Sequence, residues 1–250
     1  MVATPPPSRS GKESINYRKM AEHLTAANFF YALSGGFLPS FLWLWFWLRE
    51  DKKNPEPRGA VAAAFLGGMI AVPVAMGLEY FTLAYIGLAG AGGLAVWAFI
   101  EETLKYFAAK KTAFSKPYFD EPIDALIYMI TAALGFASLE NALFIFKSLL
   151  DSNIIAGINT GSMRFVGATL LHTATSAIVG AAIAFSFFHK KSRRHNIIGG
   201  ILLAGSLHFA FNYFIMEGEG GDILKILLPL WLVIIIIIFM FEKIKKIKRN

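Results

Sequence analysis

The chain has 250 residues, of which 56% are hydrophobic and only 16% are charged, with a mean hydropathy of +0.53. About a quarter of the residues of a soluble domain are charged, so this composition excludes an ordinary soluble protein and predicts a multi-span membrane protein. The net charge is +7, but the basic residues lie at the ends of apolar segments, which argues against nucleic-acid binding. Cysteine is absent, which excludes disulfides, thiolate metal ligands and a cysteine nucleophile.

Residues 1–25 are polar and proline-rich, and we expect them to form an N-terminal tail without a cleavable signal peptide. The segments that follow are long and apolar enough to cross a bilayer. We predict an all-α fold, a polytopic transmembrane helical bundle of about seven to eight spans, with residues 26–242 as one domain and residues 243–250 as a basic cytoplasmic tail. The predicted spans are Ala26–Leu48, Ala60–Gly77, Leu94–Phe114, Pro122–Leu150, Met163–Phe188, Ile197–Met216 and Ile223–Phe241.

Lysine and arginine are distributed unevenly among the connecting loops. Residues 49–59, 109–121, 189–196 and 242–250 contain four, three, four and five of them, whereas the alternate loops contain none. Basic loops face the cytoplasm, so we predict a multi-pass protein of the cell membrane with a cytoplasmic C-terminus. With seven spans the N-terminal tail lies outside, although it is itself basic.

Polar clusters interrupt four of the most apolar segments. Ionisable side chains deep in a bilayer are costly and usually mark a functional site. Residues four positions apart lie on the same face of a helix. The pairs with this spacing are Glu101 with Lys105, Phe136 with Glu140, His172 with Ser176, and His208 with Asn212. Because these pairs lie at comparable depth, we predict that they line one interior pocket, whereas Arg164 is expected to extend to the outer membrane interface.

The residue types in this predicted pocket suit hydrolysis by an activated water molecule. A carboxylate in an apolar environment can act as a general base, a histidine can exchange protons, and a His–Asn pair can stabilise an oxyanion. The candidate catalytic residues are Glu101, Glu102, Glu140, His172, His208 and Asn212. The candidate supporting residues are Lys105, Asn141 and Ser176. We do not expect Ser176 to be a nucleophile, because no Gly-x-Ser-x-Gly turn surrounds it.

The ordered set of motifs resembles the PrsW family of intramembrane proteases, which belongs with the CAAX-processing and bacteriocin-processing (CPBP) glutamate proteases. The motifs are Glu-Glu-x-x-Lys from Glu101, Phe-x-x-x-Glu-Asn from Phe136, His-x-x-x-Ser from His172, and His-x-x-x-Asn from His208. The stretch Asp120-Glu121-Pro122-Ile123-Asp124 is also similar to the segment that precedes the second motif in that family. The resemblance covers residues 101–212, and four motifs in order are more specific than any one of them.

The resemblance implies an intramembrane endopeptidase that cleaves a membrane-anchored protein or peptide without a covalent intermediate. It implies a water-activating glutamate in the first motif and an oxyanion site at His208 and Asn212. The CAAX branch has a histidine where this chain has Glu140, so His172 is the candidate residue opposite the base. The base itself stays open. Helical spacing favours an ion pair of Glu101 with Lys105, which leaves Glu102 free, whereas the CAAX branch uses the first glutamate.

Three alternatives accompany this hypothesis. The candidate glutamates and histidines include ligand types that suit zinc or iron, but no His-Glu-x-x-His pair is present, and we predict neither a metal nor another cofactor. An ion- or proton-coupled transporter could use the same carboxylates as a relay, but it predicts inverted repeats, which we do not find. A non-catalytic membrane scaffold is the third. The predicted partners are the substrate and the lipid bilayer.

Overall fold

The computed structural model describes residues 25–51, 54–151, 154–217 and 223–247. Most of the predicted N-terminal tail and the last three residues of the chain lie outside these ranges. Within them every regular element is helical, which confirms the predicted all-α fold. The helices are α1 (Ala26–Leu48), α2 (Arg58–Ile86), α3 (Gly90–Ala109), α4 (Pro122–Asp151), α5 (Ile154–Met163), α6 (Thr169–Phe185), α7 (Lys190–Glu217) and α8 (Ile223–Ile244).

Five of these helices, α1, α2, α4, α7 and α8, are long and apolar enough to cross a membrane. Helix α6 is apolar but shorter, and α3 carries three charged residues in its second half. The predicted spans fall on these helices, but α2 was predicted to end at Gly77 and continues to Ile86. Gly77 does not end the helix, because its backbone does not adopt the left-handed conformation of a C-terminal cap and most residues after it remain apolar.

Two glycines in the left-handed region separate α2 from α3. Gly87 ends α2 with φ 72°, and its N–H donates to the carbonyl of Thr82, while Gly90 begins α3 with φ 59°. Glycine adopts these angles without the steric penalty of a Cβ atom. Because α3 begins here, Glu101 lies about 16 Å along the helix at 1.5 Å per residue, deep inside the bundle.

Helix α4 lies at the centre of the bundle. Residues 122–138 are all buried, and the helix packs against α1, α2 and α6. Helix α6 packs between α4 and α7, and α3 packs between α2 and α7. The four helices that carry the polar motifs, α3, α4, α6 and α7, therefore surround one interior region.

Two glycines allow α2 and α4 to cross at very short range. A Cβ atom at Gly68 would lie 1.9 Å from the carbonyl oxygen of Ala132, and a Cβ atom at Gly135 would lie 1.9 Å from the carbonyl oxygen of Phe65. Small residues permit such close approach of two backbones inside a membrane. This crossing fixes the part of α4 that precedes Glu140.

Replacing Gly68 with alanine is expected to lower the free energy of unfolding by about 3 kcal/mol, because the added methyl group forces α2 and α4 apart. The measurement is thermal unfolding of the purified protein in detergent. The matched control is Gly77→Ala in the same helix, where a Cβ atom meets nothing within 4 Å. Equal melting temperatures for the two variants would contradict the close crossing.

Candidate active site

Helix α3 places three charged side chains inside the protein. Glu102 and Lys105 are fully buried, and Glu101 is 7% exposed. The Nζ atom of Lys105 lies 2.8 Å from Oε1 of Glu102 and 3.5 Å from Oε2 of Glu101. Lys105 therefore pairs with Glu101, as its helical spacing predicts, but the expectation that this pairing leaves Glu102 free is wrong. A residue three positions away is also a neighbour on a helix, and here it makes the shorter contact.

The carboxylate of Glu102 accepts hydrogen bonds on both oxygens. Its Oε1 atom lies 2.8 Å from Nδ1 of His208 and 3.0 Å from the hydroxyl of Thr175, in addition to the contact with Lys105. Its Oε2 atom accepts from the hydroxyl of Ser176 at 3.4 Å. Glu102 thus connects α3 to α6 and α7, and the hydroxyl of Ser176 is oriented towards this acid.

The two interior histidines each have a carboxylate on one ring nitrogen. His172 lies 3.0 Å from Glu140 through Nε2, and its Nδ1 atom lies 2.7 Å from Nζ of Lys105. Because an ammonium group can only donate, Nδ1 of His172 must accept, and Nε2–H donates to Glu140. His172 is therefore a neutral imidazole in this arrangement. His208 contacts Glu102 through Nδ1, and its Nε2 atom lies on the side of Glu101.

Glu101 lies between these two imidazoles. Its Oε2 atom is 3.9 Å from Nδ1 of His172 and 3.8 Å from Nε2 of His208. Glu101 also lines a cavity of about 730 Å³, together with Glu140 and Asn212. Glu102 is not among the described residues that line it. Of the two acids in the first motif, Glu101 is the one that a substrate in the cavity would meet.

Arg164 joins the wall of the same cavity. Its guanidinium donates to the carboxylate of Glu140, and its Nε atom donates to Oδ1 of Asn141 at 2.6 Å. Asn141 in turn donates to the hydroxyl of Thr169 at 2.9 Å. The expectation that Arg164 extends to the outer interface is wrong, because a desolvated carboxylate such as Glu140 requires a positive partner.

A wide turn of the helix carries this arginine. Residues Arg164–Ala168 form a π-helical turn between α5 and α6, and the hydroxyl of Thr169 donates to the carbonyl of Arg164 at 3.1 Å. Single π-helical turns occur frequently at functional sites. One signal for Arg164 was present in the sequence, namely an arginine eight positions before His172 in an apolar segment.

Replacing Arg164 with methionine is expected to lower the free energy of unfolding by about 1–3 kcal/mol, because Glu140 and Asn141 lose charged hydrogen-bond donors. Thermal unfolding in detergent measures the effect. Arg194→Met, which removes an exposed arginine from α7, is the control and should melt like the wild type. A melting temperature for Arg164→Met equal to that of the control would argue against the ion pair.

The site also contains a candidate metal-binding group. Glu101, His172 and His208 offer three ligand atoms within 4.8 Å of one another. One glutamate and two histidines form a known zinc ligand set, and a carboxylate on the second nitrogen of each histidine is typical of such sites. However, Lys105 bonds to Nδ1 of His172, which is the nitrogen that faces Glu101. A divalent cation would be repelled by this ammonium group, so the cluster does not fit a metal while Lys105 occupies this position.

Comparison with known proteins gives a consistent result. The sequence profile of a family described as "PrsW family intramembrane metalloprotease" matches residues 56–241. The chain is 28% identical over 193 residues to Protease PrsW of Geobacillus kaustophilus, which covers 76% of this chain and 82% of the relative. It is 25% identical over 194 residues to Protease PrsW of Bacillus subtilis, which covers 74% and 83% of the two chains. The same name belongs to a relative from Oceanobacillus iheyensis, 25% identical over 221 residues, or 87% and 96% of the two chains.

No solved structure matches the chain significantly. The family profile covers most of the chain, and it includes all four polar motifs. These comparisons confirm the family predicted from the motifs, and they favour a protease over a transporter or a scaffold. The apolar helices agree with a protein that is integral to a membrane. The chain belongs to the PrsW family of intramembrane proteases.

Proposed function

We propose that this intramembrane protease hydrolyses a peptide bond of a membrane-anchored protein or peptide with a water molecule activated by Glu101. The observation that carries the proposal is the position of the Glu101 carboxylate, which faces the cavity between Nδ1 of His172 and Nε2 of His208 at 3.9 and 3.8 Å. Glu102 is a poorer candidate for the base, because both of its oxygens already accept hydrogen bonds.

In the proposed reaction Glu101 takes a proton from water while the water oxygen bonds to the scissile carbonyl carbon. The resulting tetrahedral intermediate carries an oxyanion. Glu101 then gives the proton to the leaving amine as the carbon–nitrogen bond breaks, which restores the carboxylate and yields one carboxyl and one amino terminus. No covalent bond to the protein forms. Lys105 stabilises the charged form of Glu101 from 3.5 Å.

His208 and Asn212 are the proposed donors to the oxyanion. They lie one helical turn apart on α7, and both line the cavity. Nδ1–H of His208 donates to Glu102, and in the doubly protonated ring Nε2–H can also donate to a developing negative charge. His172 is held neutral between Lys105 and Glu140, and its role is to position Lys105 beside both glutamates.

The matching family is described as a metalloprotease family, whereas in this chain Lys105 supplies the positive charge beside Glu101. The proposed mechanism therefore predicts that 1,10-phenanthroline, a chelator selective for transition metals, leaves the initial rate of cleavage unchanged. The measurement is cleavage in proteoliposomes before and after treatment with the chelator. Loss of activity that added Zn²⁺ restores would instead assign a metal to Glu101, His172 and His208.

The distribution of charged loops supports a location of the site in the outer half of the bilayer. If the basic loops and the C-terminus face the cytoplasm, most of the cavity-lining residues of α2, α3, α4, α6 and α7 lie in the outer halves of their helices. A peptide segment anchored in the membrane could reach the cavity from that side. In this proposal residues 26–242 act as one domain, and residues 243–250 form a cytoplasmic tail.

Comparison of membrane-proteome N-termini tests the proposed function. Cells that produce the wild-type protein should contain new N-termini within or next to membrane spans of their substrates. Cells that produce the Glu101→Gln variant at the same level should lack them. Identical sets of N-termini in the two strains, with both proteins folded in the membrane, would contradict the proposal.

A further inference from the structure

A second group of acidic side chains lies at the end of the bundle opposite the active site. Asp51 ends the short 3₁₀ turn after α1, Glu56 lies in the loop before α2, and Asp124 is in the first turn of α4. One carboxylate oxygen from each of these residues lies within 4.8 Å of the others. Three separate elements of the fold therefore bring carboxylates to one point.

Asp51 is the residue that points most directly to a ligand. It is only 7% exposed, and its Oδ2 atom is buried with no hydrogen-bond partner among the described residues. A buried carboxylate oxygen without a partner is strongly disfavoured. Its convergence with two further carboxylates adds mutual repulsion. A bound positive charge would satisfy all three acids at once.

The other two carboxylates are fixed in place by hydrogen bonds. Oδ2 of Asp124 accepts from the backbone N–H groups of Asp120 and Glu121 at 2.8 and 2.7 Å. The carboxylate of Glu56 accepts from the hydroxyl of Tyr128. Glu56 and Asp124 each place a carboxylate oxygen within 4.8 Å of the other, so a proton or a cation between them would relieve their repulsion. These hydrogen bonds hold the carboxylates of Asp124 and Glu56 in place before a ligand binds, which lowers the entropic cost of binding.

The described ion pairs do not neutralise this group. Lys245, whose charge acts on Asp51, pairs with Glu50 and Glu242 at 2.7 and 2.6 Å. Within the described ranges, no ion pair includes Asp51 or the two other acids of the group. Burial raises the pKa of Glu56, because its charged form is poorly solvated there.

We propose that Asp51, Glu56 and Asp124 bind a hard divalent cation, Mg²⁺ or Ca²⁺, at the cytoplasmic end of the bundle. Both ions select oxygen ligands, and carboxylates are prominent among them. Asp51 and Glu56 also lie in the wall of a cavity of about 770 Å³ between α1 and α2, so the acidic group is next to open space.

The cation would connect α1, the loop before α2 and the start of α4. Helix α4 carries Glu140 in its second half, so the ion would hold the helix that supports the active site without touching the reacting groups. Cation binding at this point does not depend on proteolysis. A protein that binds the cation but lacks protease activity would support the proposed cation site and contradict the proposed protease function.

Terbium luminescence tests the site with the full-length protein in lipid nanodiscs. Tb³⁺ replaces Ca²⁺ at oxygen sites, and Tyr128, which bonds to Glu56, lies close enough to sensitise its emission. We expect saturable emission that Mg²⁺ or Ca²⁺ suppresses, and the ion effective at the lower concentration is the preferred ligand. Asp51→Asn should weaken Tb³⁺ binding by at least about tenfold, the scale of losses at metal sites.

Two control variants locate the signal. Asp120→Asn changes an exposed acid in the loop before α4, and it should bind Tb³⁺ like the wild type. Glu101→Gln alters the candidate active site at the other end of the bundle, and it should also keep the emission. Absence of emission from the wild type would overturn the proposal. A proton shared by Glu56 and Asp124 would then be the explanation for the approach of these two acids. Equal affinity in Asp51→Asn would overturn it as well.

Thermal unfolding provides a second readout. The wild-type melting temperature should rise with added Mg²⁺ or Ca²⁺, because an ion that binds only the folded state stabilises it. Asp51→Asn and Glu56→Gln should lose this rise, and either variant serves if the other does not fold. A wild-type melting temperature that does not change with either ion would contradict the site.

Discussion

Replacing Glu101 with glutamine is expected to lower the rate of peptide cleavage by about 10²–10⁴-fold, the contribution typical of a general base. Glutamine has the same shape but cannot take a proton from water. The melting temperature should stay close to the wild-type value, because the contacts of Glu101 with Lys105, His172 and His208 are all 3.5 Å or longer. Cleavage of a reconstituted substrate and thermal unfolding measure the two effects.

The neighbouring variant Glu102→Gln is the matched comparison. It removes the charge that Lys105 and His208 contact at 2.8 Å, so we expect it to lose stability as well as activity. If Glu101→Gln loses only activity and Glu102→Gln loses both activity and stability, then Glu101 is the base and Glu102 is the residue that holds Lys105 and His208 in position. The reverse result would assign the base to Glu102.

Replacing Lys105 with methionine is expected to lower the free energy of unfolding by about 3–5 kcal/mol, because the removal of one partner leaves buried carboxylates without a counter-charge. Lys105 is fully buried and contacts Glu101, Glu102 and His172. Methionine fills most of the same volume, so the effect reports the charge rather than a cavity. Thermal unfolding in detergent is the measurement.

A double variant separates the charge effect from a general loss of packing. In Lys105→Met the carboxylates of Glu101 and Glu102 have lost their counter-charge. Adding Glu102→Gln removes one of these two charges, so the double variant should be more stable than Lys105→Met alone. If the effects of the two single variants simply add in the double variant, the ammonium and the carboxylate do not interact as described.

The lengths of the apolar segments and the distribution of charge between them were sufficient to predict most of the fold. The predicted span Pro122–Leu150 became α4, Pro122–Asp151, because its apolar run has clear polar ends. The start of α3 could not be predicted from composition. Several glycines lie between residues 87 and 93, and only the backbone angles of Gly87 and Gly90 show where one helix ends and the next begins.

The candidate site was predicted as a set of residue types, but not as a set of contacts. Spacing on a single helix brings Lys105 near both Glu101 and Glu102. It cannot show which of these two glutamates is surrounded by side chains of other helices. Further donors to Glu102 come from Thr175, Ser176 and His208, which lie on α6 and α7. The rotation of each helix about its axis decides these contacts, and that rotation depends on packing.

Charged residues near the ends of spans were the hardest to interpret. Arg164 resembled a side chain at the membrane interface, and it pairs with Glu140 in the cavity wall. Asp51, Glu56 and Asp124 resembled ordinary loop and flank acids, because their spacing along the chain does not indicate a shared site. Only the packing of α1 and α2 against α4 brings them together.

The role of Glu101 as the base is tested most directly by cleavage in H₂¹⁸O with the purified protein in liposomes and a substrate identified from the comparison of N-termini. The wild-type protein should place one ¹⁸O atom in the new C-terminal carboxylate, and Glu101→Gln, reconstituted at the same level, should form almost no product. Cleavage by Glu101→Gln at the wild-type rate would contradict this role.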